Sequence, residues 1–316
     1  MTPENAEEHG LWERSRTVPS LTSRAMPTVV RLRGAKKVFS SAEAVREQVL
    51  ARSLRPTGYA PPAGLERTVD LAVRRVAGWP VYAVTPRGAL DAGRRAVYLH
   101  GGAYINEIAP QHWKLIAHVA AETGTRVTVP IYPLAPLATA SEVVPAVTVL
   151  AAEMLDDAAT TTLSLIGDSA GGGMALAVAV HLRDRGLPAP ARTILISPWL
   201  DISLTDPRIA LLEDRDPWLA VPGARYAGDL YRGTLPVDHP HVSPLLADLT
   251  GLNPITLFSG TRDIVNADAR RLAARATAAG VELDFHEAPE MLHVYPLLPI
   301  PEGRAARAAL CTALRS

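Results

Sequence analysis

Gly167-Asp168-Ser169-Ala170-Gly171 sets a serine between two glycines, after the apolar run Leu163-Ser164-Leu165-Ile166 and before a helix-like run from Met174 to Leu182. A strand that breaks sharply into a helix lifts the serine oxygen clear of a sheet, and glycine on either side removes Cβ atoms that would crowd it. Upstream, His100-Gly101-Gly102-Ala103-Tyr104 can aim backbone N–H groups at a developing oxyanion. The chemistry such a pair would do is acyl transfer, with ester hydrolysis as the expected reaction. A Gly-x-Ser-x-Gly string alone arises by chance in roughly one chain in ten of this length. The flanking strand, the following helix and the upstream glycines in the right order make it specific.

A serine hydroxyl is a poor nucleophile at neutral pH, so a base must take its proton and a carboxylate must fix that base's tautomer. On an α/β sheet of this kind the order is Ser, then Asp or Glu, then His, each beyond a different strand. His181, His239, His241, His286 and His293 follow the serine. His181 lies inside the helix after Ser169, His239 and His241 precede the seventh strand, and His286 lies within the last strand. His293, in the loop Pro289-Glu290-Met291-Leu292-His293 just past that strand, is the expected base. Asp263 follows the seventh strand at once and is the expected acid. Asp268 stands a turn later at a helix start, and Glu287 and Glu290 are too close to His293 to come from a separate strand end. Ala170, at a helix start, has an N–H free of intrahelical bonds, so Gly102, Ala103 and Ala170 are the expected oxyanion donors. His100 is expected to brace its loop. Tyr104, Trp218, Tyr226 and Leu292 are expected to wall the substrate pocket, with Tyr231 as a further aromatic. His112 and His118 fall on different faces of one helix, and no His-Glu-x-x-His, paired-cysteine or phosphate-loop spacing occurs, so no metal or cofactor is expected.

Eight strand-like runs are available to position these groups: Thr68–Val76, Val81–Thr85, Val97–His100, Arg126–Pro130, Leu163–Gly167, Thr193–Ser197, Ile255–Ser259 and Glu282–Glu287. Helical patterns separate the later ones, at Gln111–Thr123, Ser141–Leu155, Ser169–Arg185 and Asp268–Ala279, with a last helix at Glu302–Leu314. Gly124, Gly186 and Gly280 stand where left-handed caps belong. Such alternation predicts an α/β fold with a mostly parallel sheet covered on both faces, its first two strands antiparallel. Residues 1–60 hold a helix expected over Ser41–Leu54, with Ser40 and Glu43 as a capping box. This segment and an insertion over 202–242 are expected to cover the site, with core at 61–201 and 243–316 in one catalytic domain.

Composition narrows the partners. The 316 residues carry 32 Lys+Arg against 32 Asp+Glu, so no net charge attracts nucleic acid or an anionic membrane. One cysteine, Cys311, excludes an internal disulfide. An acidic start with no apolar run after it, and no span-length stretch, lead to an expected cytoplasmic location and no membrane span. A small ester is the expected partner of a monomer or homodimer.

The chain resembles the hormone-sensitive-lipase-like branch of the α/β-hydrolase esterases. The resemblance rests on the oxyanion segment and serine elbow above, on Tyr132-Pro133-Leu134-Ala135-Pro136, Ser197-Pro198-Trp199-Leu200-Asp201 and Ser243-Pro244-Leu245, and on Asp263 and His293. It covers residues from about 80 to the C-terminus, and it implies the α/β-hydrolase fold, a helical cap and a Ser169–His293–Asp263 triad. Ala103 replaces the family's usual third glycine, and Pro133 and Leu137 replace its Arg and Glu. The wording of the Tyr132 segment is similar to a branch that includes acetyl-ester hydrolases of sterols. An amidase or deacetylase would use the same triad, whereas receptors on this fold lack the histidine.

Overall fold

The computed structural model describes residues 19–316; the start of the N-terminal segment, residues 1–18, lies outside the described residues. Eight strands form one sheet: β1 (Val69–Val76), β2 (Trp79–Pro86), β3 (Arg94–Leu99), β4 (Arg126–Pro130), β5 (Thr162–Asp168), β6 (Arg192–Ile196), β7 (Ile255–Gly260) and β8 (Leu283–Ala288). Their order is β1-β2-β4-β3-β5-β6-β7-β8. The strand β2 runs antiparallel to β1 and β4, and every later pairing is parallel. The central strands are nearly unbroken apolar runs because helices cover both faces. Along β3, Val97 and Leu99 enter one core while Ala96 and Tyr98 enter the other, the two-residue period of a strand.

On the first face lie α5 (Ala140–Asp156), α6 (Ala170–Asp184) and α9 (Asn266–Ala278); on the second, α4 (Pro110–Thr123) and α10 (Pro301–Arg315). Gly124, Gly186 and Gly280 have φ of 70°, 63° and 69°, so each ends its helix in the left-handed conformation expected of it. Cys311 is buried in α10.

The segment ahead of the sheet departs from expectation. It holds three helices, α1 (Leu21–Leu32), α2 (Ala35–Val38) and α3 (Ala42–Leu54), instead of one. The residue that begins α3 is Ser41, whose side chain accepts the Ala44 N–H at 3.1 Å; the hydroxyl of Ser40 turns back to Lys37 O. Serines at adjacent positions offered the same signal, and the turn out of α2 consumed the first. The insertion contains α7 (Pro207–Glu213) and α8 (Val221–Arg232), each with proline in its first turn, where no N–H is required. Gly223 of α8 donates its N–H to Phe39 O at 2.9 Å, and a Cβ there would stand 2.6 Å from the Phe39 main chain. That close approach packs α8 against the N-terminal helices. Among the described residues no helix is long and apolar enough to cross a membrane.

Candidate active site

Ser169 stands between β5 and α6 with φ 52° and ψ −122°, a backbone that L-residues seldom adopt. Its surroundings hold it there. The Ser169 N–H donates to Ile196 O at 2.8 Å, and its carbonyl accepts the Trp199 N–H at 2.8 Å. A Cβ on Gly167 would overlap the Gly171 carbonyl, and one on Gly171 would overlap the carbonyl of Leu99. The two glycines of the motif thus let a tight turn close against the neighbouring strand. The Ser169 side chain stays half-exposed.

The loops after β7 and β8 bring the other two groups to the serine. His293 Nε2 lies 2.9 Å from Ser169 Oγ, and His293 Nδ1 donates to Asp263 Oδ2 at 2.8 Å. Asp263 is wholly buried, and its second oxygen accepts the Val265 N–H at 3.1 Å. The two loops are tied to each other by Arg262 N–H to Met291 O at 3.0 Å and by Glu290 N–H to Thr261 Oγ1 at 2.8 Å. Ser197 Oγ accepts the Val294 N–H at 3.0 Å and fixes the far side of the histidine. Burial opposes a charge on His293, yet the carboxylates of Asp263, Asp216 and Asp168 outweigh it and hold the imidazole above its ordinary range.

The upstream turn carries three consecutive residues with positive φ: Gly102 at 128°, Ala103 at 54° and Tyr104 at 62°. Gly102 O accepts the N–H groups of Ile105 and Asn106, which closes the turn. Among the described residues, the N–H groups of Gly102, Ala103 and Ala170 have no protein acceptor and are free to donate. Beneath the turn, buried Asp168 accepts from Tyr98 OH at 2.7 Å, Gly101 N–H at 3.0 Å and His112 Nε2 at 3.2 Å. Burial pushes the Asp168 carboxyl up, but His112, the tyrosine and the amide together leave it below its usual range. His100 does brace the loop: its Nδ1–H donates to Gly101 O at 2.7 Å and its ring stacks on Tyr132 at 4.4 Å. Burial, then neighbouring His112, lower it to about 4, so it is neutral.

The expected pocket residues divide. Trp218 presents its ring edge-on to His293, with centroids 6.1 Å apart. Tyr226 lines a cavity of about 790 Å³ with Val49, Leu50, Ile105, Leu134 and Leu230, between α3, α8 and the turn that carries Gly102, Ala103 and Tyr104. Tyr104 is no pocket wall, and this corrects the expectation: it is 1% exposed, stacked on Tyr231 at 3.5 Å and on Trp199 at 5.8 Å. Its left-handed backbone turns the ring down into the core. Tyr231 is buried by the same stack, and Leu292 is 2% exposed. The other histidines that follow the serine have partners of their own: His286 stacks on Phe258 and meets Asp284, His181 meets Thr148, and His239 and His241 contact each other. Sequence reasoning missed Asp168, His112 and Asp216. Asp168 was in view as the variable residue of the elbow, but its partners lie 56 to 70 residues away.

Such an arrangement can pass a proton from a hydroxyl to an imidazole while holding a negative oxygen. The sequence matches the family described as having the α/β-hydrolase fold over residues 96–297. It is 34% identical over 244 residues to a triacylglycerol lipase of Mycobacterium tuberculosis, a match covering 76% of this chain and 51% of the lipase; the chain thus spans about half of that relative. An acetyl-hydrolase of Streptomyces hygroscopicus is 35% identical over 227 residues, covering 70% of this chain and 75% of that protein. Among solved structures, an esterase from the bacterial hormone-sensitive lipase family superposes with a TM-score of 0.79 at 28% identity, covering 95% of this chain and 99% of that one.

Proposed function

We propose, from the premise that the chain belongs to the α/β-hydrolase family in its hormone-sensitive-lipase-like branch, that it hydrolyses short- to medium-chain carboxylic esters through Ser169, His293 and Asp263. The observation that carries the reading is the unbroken series of contacts from Ser169 Oγ through His293 to Asp263, at 2.9 and 2.8 Å. Ser169 Oγ attacks the ester carbonyl as its proton passes to His293 Nε2. Asp263 holds the Nδ1–H tautomer and balances the imidazolium. The carbonyl oxygen becomes an oxyanion, held by N–H donors from Gly102, Ala103 and Ala170. Collapse breaks the bond to the alcohol, which leaves with the proton from His293 and deposits the acyl group on Ser169. Water, deprotonated by the same imidazole, then releases the acid.

The acetyl-hydrolase among the relatives supports a small acyl group. The cavity lined by Ile105 and Tyr226, next to the Gly102–Tyr104 turn, is of a size that suits a small molecule and supports an apolar ligand, although neither Ser169 nor His293 is among its lining residues. We place the reaction in the cytoplasm, a reading supported by a single, buried cysteine. The test is labelling by a fluorophosphonate ester together with hydrolysis of an aryl acetate. Both should occur in the parent and vanish in Ser169→Ala. Retained turnover in the folded variant would remove Ser169 from the mechanism.

A further inference from the structure

We propose that the turn Asp216-Pro217-Trp218 of the insertion is part of the machinery of the triad, with Asp216 as a positioning residue that fixes the Asp263 loop and lends His293 a second negative charge. The proposal rests on the ester-hydrolase reading above. Asp216 is 1% exposed, and its carboxylate accepts three backbone N–H groups. Oδ1 takes those of Trp218 at 2.7 Å and Leu219 at 3.0 Å, within its own turn. Oδ2 reaches across to the N–H of Ile264 at 3.0 Å, while the next N–H, that of Val265, goes to Asp263. Two carboxylates from different parts of the chain therefore divide successive amides of one loop. The same turn sets Trp218 edge-on against His293. Its main chain is held in turn by Lys36 of α2, whose ammonium donates to Asp216 O at 2.8 Å and to Glu213 O.

A structural tie alone would not call for a charge here. Burying one carboxylate beside another is costly, and a neutral acceptor would cap the Trp218 and Leu219 amides equally well. What the second carboxylate adds is a negative potential at the imidazole. The charged groups facing His293 are Asp263, Asp216 and Asp168, and those facing Asp216 are Asp263 and His293. Asp168 is committed to the oxyanion turn, and Asp263 is the direct partner of the histidine. Asp216 is the member that comes from the insertion. Burial, then the neighbouring Asp263, push its own carboxyl up to about 6, against the pull of its amides and of His293.

The variant Asp216→Asn keeps the shape but removes the charge, and its NH₂ must face an N–H on one side. It should lower kcat about tenfold with KM within about twofold, and move the acid limb of kcat/KM against pH down by about half a unit. An unmoved limb, or a kcat equal to that of the parent, overturns the proposal. Should this variant fail to fold, Lys36→Met takes its place, because it frees the turn and leaves both carboxylates. A kcat about threefold lower, with KM within about twofold and an unmoved limb, supports the proposal; a parent-like kcat or a change confined to KM overturns it. Hydrolysis of an aryl acetate by the parent, and its loss in Ser169→Ala, are measured alongside. A failure of the ester-hydrolase reading therefore appears in the parent, and a failure of this one only in the variants.

Discussion

His293 must be neutral to accept the Ser169 proton, and the carboxylates around it hold its pKa above the ordinary 6.5. A raised pKa moves the loss of neutral imidazole to higher pH, so the acid limb of kcat/KM should have its midpoint above 6.5. A midpoint below that value, in a rate profile on a neutral aryl ester, would mean that burial outweighs the carboxylates. Substitution separates the histidines further. Asp263→Asn should cost on the order of 10⁴ in kcat, because an amide favours the wrong tautomer, and Ser169→Ala on the order of 10⁶. His286→Ala should stay near the parent, since that ring stacks on Phe258 and pairs with Asp284. A dead His286→Ala beside an active His293→Ala would reverse the base assignment. That Ser169, Asp263 and His293 meet was legible because Ser169 directly follows β5 and the other two stand in the loops after β7 and β8. Asp216 and His112 were not, because neither stands at a strand end and their partners come from remote segments.

Between elements, the elbow depends on α6 approaching β3 more closely than any side chain permits. In an open helix, alanine for glycine gains about 1 kcal/mol of propensity. At Gly171 an added methyl would overlap the main-chain carbonyls of Leu99 and His100, which cannot move aside as a side chain would. Overpacking of this kind typically costs about 1–3 kcal/mol, and against rigid backbone the upper end should apply. Gly171→Ala should therefore lower Tm by more than about 3 °C and depress activity further, by displacing Ser169. A higher Tm would show that propensity wins. Strands such as β5 and β7 were readable in the sequence because burial on both faces leaves almost continuous apolar runs. The helices α1 and α7 were not. α1 carries Pro27 within it and buries only Ser23, Pro27 and Val30, while α7 buries only Ile209. A proline inside α1 argues against a helix, and the seven residues of α7 are too few to show a period. Tyr104 misled for a related reason, since its stacking partner Tyr231 lies 127 positions further on and no local pattern records the pair.

At the scale of the whole molecule, the insertion over 202–242, which we propose as a cover for Ser169, is tied to the body of the fold and not poised to lift. Asp216 ties it to the Ile264 amide at 3.0 Å, and Ser243 Oγ accepts the Ile202 N–H at 3.1 Å, both bonds buried. Opening at a lipid surface would break these buried bonds without replacing them, at about 1–3 kcal/mol for each group left unpaired. Water-soluble esters should therefore be hydrolysed with no jump in rate at an interface. Acyl length should be restricted as well. Ala103 carries a methyl in the oxyanion turn, and Trp218 closes the side of His293. Each methylene that fits gains about 0.8 kcal/mol of burial, or roughly fourfold in kcat/KM, until the chain must bend or protrude. We expect kcat/KM to peak at about two to six acyl carbons and to fall well before lipase-length chains. A series of aryl esters from acetate to palmitate, each assayed below and above its solubility limit, measures both effects. A maximum at long chains would mean an acyl channel that Trp218 does not close. A rate that jumps at the solubility limit would mean that the contacts holding the cover are weaker than the gain from meeting lipid.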